Sequence, residues 1–406
     1  MSASTTDPQA LVAGWNELIE SLRTLPARML ARLPEEQRRN PQIQQEVGRL
    51  ALEALTSSAL GSLGADPDHP TAMPQIGQIL NVGQPNADTA YRIVRMSPEG
   101  TYRLRGRRGT LRMFNASQSP PSPGDTDFKP GEPGSPRTAH DFSTLPIDSD
   151  GCFDVILSRH LPAGHQGPWW KLEAKTNKLL VRMVSADWLH EQPPTLSVER
   201  IDKPVARPRV AGSDLESRLR HLPAAIEFIA LLFVDRFEQL RAEGYVNQLK
   251  MIDMSKIGGL TGQFYYEGTY NLEPDEALIL ESKLPPKCLY RSLILTNELY
   301  ETTDWYNNHS SLNDAQSDAD RDGVLRAVIS AQDPGVPNWL DTAGYARGMI
   351  QGRWFDCDEQ PLPSMQKVRI AELRRYLPKD TPSVTAEQRE HLIRERRAAL
   401  QQRPLW

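Results

Sequence analysis

The chain has few cysteines for its length, and this limits the covalent and metal chemistry available to it. Only three of its 406 residues are cysteine, namely Cys152, Cys288 and Cys357. An odd number at wide spacing argues against both a disulfide framework and a zinc site. Each cysteine is therefore expected to act as a small core hydrophobe.

Long apolar runs and a basic excess are also lacking. The longest apolar run, Phe228 to Val234, is far shorter than the roughly 20 residues that span a bilayer. The opening residues, MSASTTDPQA, lack the basic and apolar regions of a signal peptide. A net charge of −5 offers no field that would attract nucleic acid. These features predict a cytoplasmic protein with neither a membrane nor a nucleic acid as partner.

No local catalytic motif of high specificity occurs in the sequence. There is no Gly-x-Ser-x-Gly elbow, no phosphate-binding Walker loop and no metalloprotease His-Glu pair. Gly258-Gly259-x-x-Gly262 is too weak a pattern to indicate a dinucleotide. These absences argue against the standard hydrolase, kinase and dehydrogenase classes, and we expect neither a cofactor nor a metal.

What the chain does contain is a repeat. DGCFDVILS from Asp150 recurs as DGVLRAVIS from Asp322, and each copy continues through a loop to a Pro-x-Trp sequence. In this alignment Trp170 corresponds to Trp339, and Arg182 corresponds to Arg353. Similarity at a fixed separation predicts two related modules, which would have arisen by internal duplication.

The fold class follows from the short alternating runs around these repeats. With 33 prolines and 26 glycines, the chain suits a loop-rich protein of antiparallel strands more than a helical bundle. We predict an α+β protein, mainly β with helices, that contains two antiparallel β-sandwich or jelly-roll-like modules. The expected segments are an N-terminal helical segment (1–70), β module 1 (71–205), a buried central helix (213–244), β module 2 (245–378) and a C-terminal helical tail (383–406).

Helix boundaries can be predicted from caps and periodicity. Apolar residues at helical spacing predict a helix over 8–32, and Asn40 followed by Pro41 predicts the start of a second. The apolar faces of these helices are expected to pack on the sheet or on another subunit. Packing on another subunit would give a homo-oligomer. Ser213 with Glu216, and Thr385 with Gln388, have the spacing of capping boxes.

Two further segments carry structural expectations. The proline-rich interval 115–150 is long for a loop inside a compact domain, which is typical of a lid, a binding loop or disorder, and we favour a surface flap. The last part of the tail helix, RERRAAL, is expected to be a solvated face.

Two short segments resemble family signatures. Asn338-Trp339-Leu340 followed by Arg353-Trp354-Phe355 resembles the signature of the 1214 family of domains of unknown function, although Phe355 stands where that family has tyrosine. The segment from Asn86 to Tyr91, NADTAY, resembles a signature of the sister 1254 family. The resemblance implies a β-sandwich or jelly-roll-like fold for each module and no particular activity.

The candidate site residues come from polar clusters in the two halves. Asp88 is the candidate proton-transfer carboxylate, and His309 is its candidate partner. The structural alternative is that Asn86 and Asp88 satisfy backbone groups at the entry to a strand. The residues expected to position a substrate are Asn86, Tyr91, Tyr290, Arg291, Asn338 and Arg353.

Asp318-Ala319-Asp320-Arg321-Asp322-Gly323 matches half of a calcium loop, but Ile329 stands where the last ligand should be, so a turn is favoured.

These patterns support two functional hypotheses. The first is an enzyme that acts on a small polar or glycosidic metabolite by general acid–base chemistry. The second is a non-catalytic protein that binds a ligand or assembles with a partner. A pocket containing carboxylates of perturbed pKa would favour the enzyme, whereas a flat apolar patch would favour assembly.

Overall fold

The fold is α+β, as the sequence predicts, and it is seen in a computed structural model that describes residues 12–130, 138–257 and 259–403. Within these ranges the chain forms six α-helices and seventeen β-strands, and the strands make four open sheets. A helical segment precedes two β modules, and further helices connect and follow them.

The N-terminal segment contains three helices: α1 (Trp15–Leu30), α2 (Glu35–Arg38) and α3 (Pro41–Leu63). The predicted cap of α3 is confirmed, because the Asn40 side chain accepts a hydrogen bond from the backbone N–H of Gln42 at 2.9 Å and Pro41 opens the helix. Helix α1 begins at Trp15, and the predicted start at residue 8 lies outside the described residues.

The segment between the modules forms α4 (Gly212–Leu231) and α5 (Arg236–Ala242). The predicted capping box is wrong, because the N-cap position of α4 is Ala211, two residues before Ser213, and it makes no side-chain cap. Ile226 of α4 is fully buried with Leu25 of α1 and Val47 of α3. The apolar faces of the N-terminal helices therefore pack largely within the same chain.

The first module consists of eight strands in two sheets. Their bounds are β1 (Thr89–Arg95), β2 (Thr101–Arg107), β3 (Met113–Ser119), β4 (Ala139–Asp141), β5 (Cys152–Ser158), β6 (Trp169–Lys171), β7 (Lys178–Val184) and β8 (Ser197–Arg200). One sheet has the order β1-β7-β3-β4, and the other has the order β6-β5-β2-β8.

The second module repeats this arrangement after an extra strand, β9 (Lys250–Asp253). Its other strands are β10 (Gln263–Asn271), β11 (Glu276–Lys283), β12 (Cys288–Thr296), β13 (Ser311–Asn313), β14 (Val324–Ser330), β15 (Trp339–Asp341), β16 (Arg347–Cys357) and β17 (Ser364–Arg369). The sheet orders are β13-β12-β16-β10-β9 and β15-β14-β11-β17. With β9 set aside, each strand of one module has a counterpart at the same position in the other.

The strand pairing corrects one detail of the predicted alignment. Trp169 pairs with Ile156, and Trp339 pairs with Val328, in equivalent parallel ladders. Each indole N–H donates to the serine hydroxyl that ends the neighbouring strand, Ser158 at 3.0 Å and Ser330 at 3.1 Å. Trp169, and not Trp170, is thus the counterpart of Trp339.

The interval predicted as a surface flap is partly built into the first module. Residues 115–119 belong to β3, and β4 pairs with them. Phe142 is fully buried and stacks on Phe114, with ring centroids 3.9 Å apart. The flap prediction is wrong for these parts, while residues 131–137 lie outside the described residues.

The two modules meet through the sheets that contain β3 and β12. Met113 and Val184 of the first module share a buried cluster with Tyr290 and Phe355 of the second. Strand β3 is buried along its whole length: Phe114 and Ala116 pack in the core of its own module, and Met113, on the other face, contacts the second module. Polar residues on the contacting faces are consequently withdrawn from water.

The C-terminal helix α6 (Ala386–Gln401) begins with the predicted capping box between Thr385 and Gln388, which is confirmed. The prediction of a solvated end is wrong, because Arg396 and Leu400 are buried. The Arg396 guanidinium lies over the Trp188 ring, 4.4 Å from its centroid.

Two cysteines are paired, contrary to the prediction that each is an unpaired hydrophobe. Cys288 and Cys357 occupy directly opposite positions on β12 and β16 and form a disulfide, whereas Cys152 is free. Linear spacing could not reveal this pair, because 69 residues separate the two cysteines along the chain.

Within the described part of the chain, none of the helices combines the length and the apolarity that crossing a membrane requires.

Candidate functional site

A polar stripe on α3 forms one wall of the strongest candidate site. Glu46, Arg49 and Glu53 are spaced three and four residues apart, which places them on one side of the helix. The neighbouring side carries Val47 and Ala54, which are fully buried against the other helices. Packing of that apolar side directs the polar stripe toward the second module.

The opposite wall is the turn that follows β12. Asn297 accepts hydrogen bonds from the backbone N–H groups of Leu299 at 2.9 Å and Glu301 at 3.0 Å, which closes the turn. Its side-chain amide donates to Glu301 Oε2 at 2.6 Å. Tyr300, between them, has a φ of 68°, a left-handed value that is uncommon for a residue with a side chain. The turn thus holds the Glu301 carboxylate in a fixed position.

Arg49 joins the two walls. Its Nε lies 3.1 Å from Glu301 Oε1, and its Nη2 lies 2.7 Å from Oε2, in a two-pronged ion pair. The Glu301 side chain is only 2% exposed, whereas the Arg49 side chain is 49% exposed. The guanidinium therefore both neutralises the buried carboxylate and faces the solvent side of the site.

Glu53 completes a pair of carboxyl groups. Arg49 Nε lies 3.9 Å from Glu53 Oε1, and Glu53 Oε2 is buried without a hydrogen-bond partner among the described residues. Burial, followed by the repulsion of the Glu301 carboxylate, raises the pKa of Glu53 to about 8. Glu53 therefore holds a proton at neutral pH while it stands beside an anionic, arginine-bound carboxylate.

These groups line a pocket of about 600 Å³ between α3 and the second module. Its volume lies in the range that accommodates small ligands. The lining also contains Tyr345, whose hydroxyl donates to Glu46 Oε1 at 3.3 Å, and Ala343, which has a φ of 52°. Asparagine and glutamine side chains contribute much of the remaining lining: Gln78, Asn81, Asn297 and Asn308.

A second polar cluster, away from this pocket, brings together several residues that the sequence singles out. Asp88 is 2% exposed and accepts hydrogen bonds from Trp188 Nε1 and Asn313 Nδ2, both at 2.8 Å, and from the Tyr290 hydroxyl. Asn86 Nδ2 donates to the Tyr290 oxygen at 2.8 Å. Burial raises the pKa of Asp88, although its three donors oppose this effect.

The same cluster extends to Tyr91 and Arg353. Tyr91 accepts a hydrogen bond from the Asn86 N–H at 3.1 Å. Arg353 is 4% exposed, bonds to Gln351 at 2.9 Å and interacts electrostatically with Tyr91 and Asp88. Arg353 of the second module thus lies within electrostatic range of motif residues of the first module, while its described contacts are with Gln351 and the Tyr265 ring.

The other predicted site residues lie elsewhere. His309 is buried, and its Nδ1 bonds to the Trp339 carbonyl. Burial and the nearby Arg396 and Arg389 guanidinia hold its pKa well below the usual value, so the imidazole is neutral. Within the described ranges, no hydrogen bond joins His309 to Asp88.

Arg291 and Asn338 have structural partners. Arg291 donates to the Ser317 hydroxyl at 2.7 Å and to its carbonyl at 2.9 Å. Asn338 Nδ2 donates to the carbonyls of Asp318 and Arg326. Neither residue contacts the Asp88 cluster in the described hydrogen bonds.

The half-match to a calcium loop forms a turn before β14. Asp320 and Asp322 both bind Arg326, at 2.8 Å each, and Gly323 has a φ of 78°. Because an arginine already neutralises these carboxylates, the arrangement agrees with the turn interpretation.

The carboxyl pair was missed by sequence reasoning. Glu53 and Glu301 are 248 positions apart, and neither belongs to a motif. The one signal was the polar stripe of Glu46, Arg49 and Glu53 on a helix that otherwise packs apolar residues.

Comparison with known proteins identifies the class of fold and gives no function. No family model matches the chain, and no curated protein matches it. An uncharacterised protein from Burkholderia cenocepacia, solved by crystallography, is similar to it. The two share 26% identity and a TM-score of 0.79, and the match covers 88% of this chain and 97% of that one. A Vibrio parahaemolyticus protein gives a TM-score of 0.44 at 12% identity, over 80% of this chain and 98% of that chain.

Proposed function

We propose that this protein is an enzyme that transfers protons to and from a small hydroxylated molecule in the pocket between α3 and the second module. The observation that carries the proposal is that two carboxyl groups, Glu53 and Glu301, both approach Arg49 inside a pocket of about 600 Å³. A titratable group whose pKa is strongly shifted by burial and by a charged neighbour is a common property of acid–base sites.

The proposed role of each residue follows from its surroundings. Glu53, which is protonated at neutral pH, donates its proton to an oxygen of the bound molecule, and the resulting Glu53 carboxylate takes a proton back from the same molecule. Arg49, half exposed beside it, stabilises negative charge that develops on the same molecule. Glu301, held by Arg49 and Asn297, keeps the proton on Glu53 between turnovers.

The composition of the pocket supports a hydroxylated, uncharged substrate such as a sugar. Carboxyl groups outnumber the single arginine in its lining, which disfavours anions. The amide side chains suit hydroxyl groups, because an amide both donates and accepts hydrogen bonds.

Hydrolysis of a glycosidic bond does not fit the geometry. Glycosidases separate their two carboxyl groups by roughly 5–10 Å so that a sugar and a water fit between them. Arg49 Nε lies 3.9 Å from Glu53 Oε1 and 3.1 Å from Glu301 Oε1, so a guanidinium already occupies the space beside both carboxyl groups, and isomerisation or elimination of water fits the pair better.

The alternative is a non-catalytic ligand-binding or assembly protein, and the Asp88 cluster supports it. Protein donors bond both oxygens of Asp88, so this residue serves more naturally to hold the modules together. Catalysis by Asp88 with His309 remains a prediction that no contact between them supports.

Two related proposals concern origin. The matching strand orders and the paired roles of Trp169 and Trp339 support an internal duplication. Tyr91, which bonds to Asn86 in the segment like the 1254 family, interacts electrostatically with Arg353 in the segment like the 1214 family. This supports a relationship to both families of domains of unknown function.

Cytoplasmic location and a homo-oligomer remain predictions.

The test is a thermal-unfolding screen against neutral sugars, polyols, hydroxy acids and amino acids. A ligand at 100 times its Kd stabilises by about 2.7 kcal/mol, which a melting curve detects. We expect a neutral polyol or sugar to raise the Tm of the wild type, and Arg49→Met to abolish the shift. Glu20→Gln, on the exposed surface of α1, is the control and should retain it. A panel without any shift, or a shift unaffected by Arg49→Met, would argue for the assembly alternative.

A further inference from the structure

A cavity of about 820 Å³ lies between the first module and the helices α3 and α4. Its wall is formed by the end of α3, the segment 65–69, the end of β1 and the segment 207–211 that leads into α4. We refer to this cavity as the α4 pocket. Its volume is near the upper end of the range for small-ligand pockets. No described residue lines both the α4 pocket and the pocket that contains Glu53.

Four polar atoms in the wall of the α4 pocket are buried and have no hydrogen-bond partner within the described ranges. They are Ser58 Oγ, His69 Nε2, Arg95 Nε and Asn177 Oδ1. Ser58 and Asn177 are each only 6% exposed. Buried polar groups normally bond to protein, to ordered water or to a ligand. Four such atoms in one wall indicate a surface that binds the polar groups of another molecule.

These atoms include both donors and acceptors of hydrogen bonds. Arg95 Nε can only donate. The Asn177 amide nitrogen donates to Asp127 Oδ1 at 3.2 Å, which leaves Oδ1 of the same amide as an acceptor. His69 Nδ1 lies 3.5 Å from Asp66 Oδ2, which favours the proton on Nδ1 and leaves Nε2 to accept. A ligand must therefore supply acceptors and donors together.

The charges of this wall are matched to one another. Arg207 Nε lies 2.9 Å from Asp66 Oδ2. Asp125 binds Arg95 and also Lys178, whose Nζ lies 2.9 Å from Asp125 Oδ2. Of the other charged residues in the lining, one acid binds Arg200 and the rest are two acids and two arginines: Asp68, Asp127, Asp214, Arg209 and Arg218. A neutral molecule therefore suits this wall better than an anion or a cation does.

We propose that the α4 pocket binds a neutral oligosaccharide of two or more sugar rings. A hydroxyl group both donates and accepts, so an array of hydroxyl groups can satisfy Arg95, Asn177 and His69 together. A carboxylate or phosphate only accepts and would leave the Asn177 oxygen unpaired, whereas an ammonium group would leave Arg95 Nε unpaired. A pocket of this size accommodates more than one ring. The proposal does not rest on the reaction proposed for Glu53.

A glycan array probed with the labelled intact protein identifies the ligand, and isothermal titration with the strongest neutral oligosaccharide measures its affinity. We expect saturable binding at one site per chain, with the component monosaccharides at least tenfold weaker. Ser58→Ala removes one of the unpartnered atoms and should weaken binding at least fivefold. Because alanine favours a helix, this variant should keep the wild-type Tm. Thr56→Ala removes an exposed hydroxyl from the same helix and should keep the wild-type affinity.

A second variant fills the pocket from its exposed side. Ala211 is an exposed residue of the lining, so Ala211→Trp adds bulk there without disturbing the core. This variant should abolish binding and retain the Tm, whereas Arg49→Met, in the pocket of Glu53, should leave the affinity unchanged. Any of three results would overturn the proposal: no neutral oligosaccharide bound by the wild type, stronger binding of acidic glycans, or wild-type affinity in Ser58→Ala or Ala211→Trp.

Discussion

Tyr290 donates a hydrogen bond to the Asp88 carboxylate, and this contact connects β12 of the second module to the segment that enters β1 of the first. Asn313, on β13, donates to the same carboxylate at 2.8 Å. Two strands of one module thus hold a single acid of the other. Since both groups are almost fully buried, the connection is protected from solvent competition.

Replacement of Asp88 by asparagine is expected to weaken the whole fold. An amide nitrogen would face donors, so at least one buried donor would lose its acceptor, at a cost of about 3 kcal/mol. Urea unfolding measures the loss. Asp154→Asn, on an exposed pair with Arg103, is the matched control and should change stability by less than about 0.5 kcal/mol. Equal effects of the two variants would contradict the role given to Asp88.

Loss of Arg49 is expected to destabilise the contact between α3 and the second module. Arg49→Met leaves Glu301 buried without its cation, and we expect a cost of about 2 kcal/mol, because the guanidinium is half exposed. The double variant Arg49→Met with Glu301→Gln should recover part of this loss. A double variant no more stable than Arg49→Met would show that charge is not the cause.

The stability of the wild type should fall as the pH rises through the range in which Glu53 titrates. Its pKa is raised from 4.5 to about 8 on folding, so the folded protein holds the proton more tightly than the unfolded chain. The stabilising contribution is complete below about pH 4.5 and is lost as the pH approaches 8. Full linkage would make this dependence about 5 kcal/mol between those limits, and solvent screening of the partly exposed carboxyl reduces it to about 2 kcal/mol. Glu53→Gln should remove it, as melting curves across pH would show.

Glu20→Gln should leave the pH dependence of the wild type unchanged, because Glu20 lies on the exposed surface of α1. Identical pH profiles for the wild type and Glu53→Gln would disprove the assignment of the proton to Glu53.

One free thiol per chain is expected in the unreduced protein unfolded in denaturant, since only Cys152 is unpaired. Reduction should raise the number to three. Thiol titration before and after reduction measures both values. Because disulfides persist in oxidising compartments, three free thiols before reduction would agree better with the cytoplasmic prediction.

Local patterns predicted much of the fold. The cap at Asn40, the capping box at Thr385 and the repeated strands each depend on residues close together in the sequence. The disulfide and the carboxyl pair depend on strands and helices that meet only after folding, and no spacing reveals them. The capping-box prediction at Ser213 failed although Ser213 and Glu216 have the right spacing, because the helix has its N-cap two residues earlier, at Ala211.

The Asp88 cluster could be predicted only in part, because only some of its residues lie close together in the sequence. Asn86, Asp88 and Tyr91 lie within one short segment, so their proximity was readable. Their meeting with Tyr290 depends on the packing of two modules, and the sequence suggested it only through the similar polar clusters in the two halves.

Glu53 is proposed to transfer a proton in the pocket that it lines. Proton NMR in D₂O, which monitors the conversion of sugars and polyols, measures this activity. New signals or deuterium exchange would report isomerisation and elimination alike. We predict turnover of at least one compound by the wild type and by Glu20→Gln. Turnover by Glu53→Gln should fall at least a hundredfold, since general acid catalysis contributes about 10²–10⁴. Undiminished turnover by Glu53→Gln, with the fold intact, would contradict the claim.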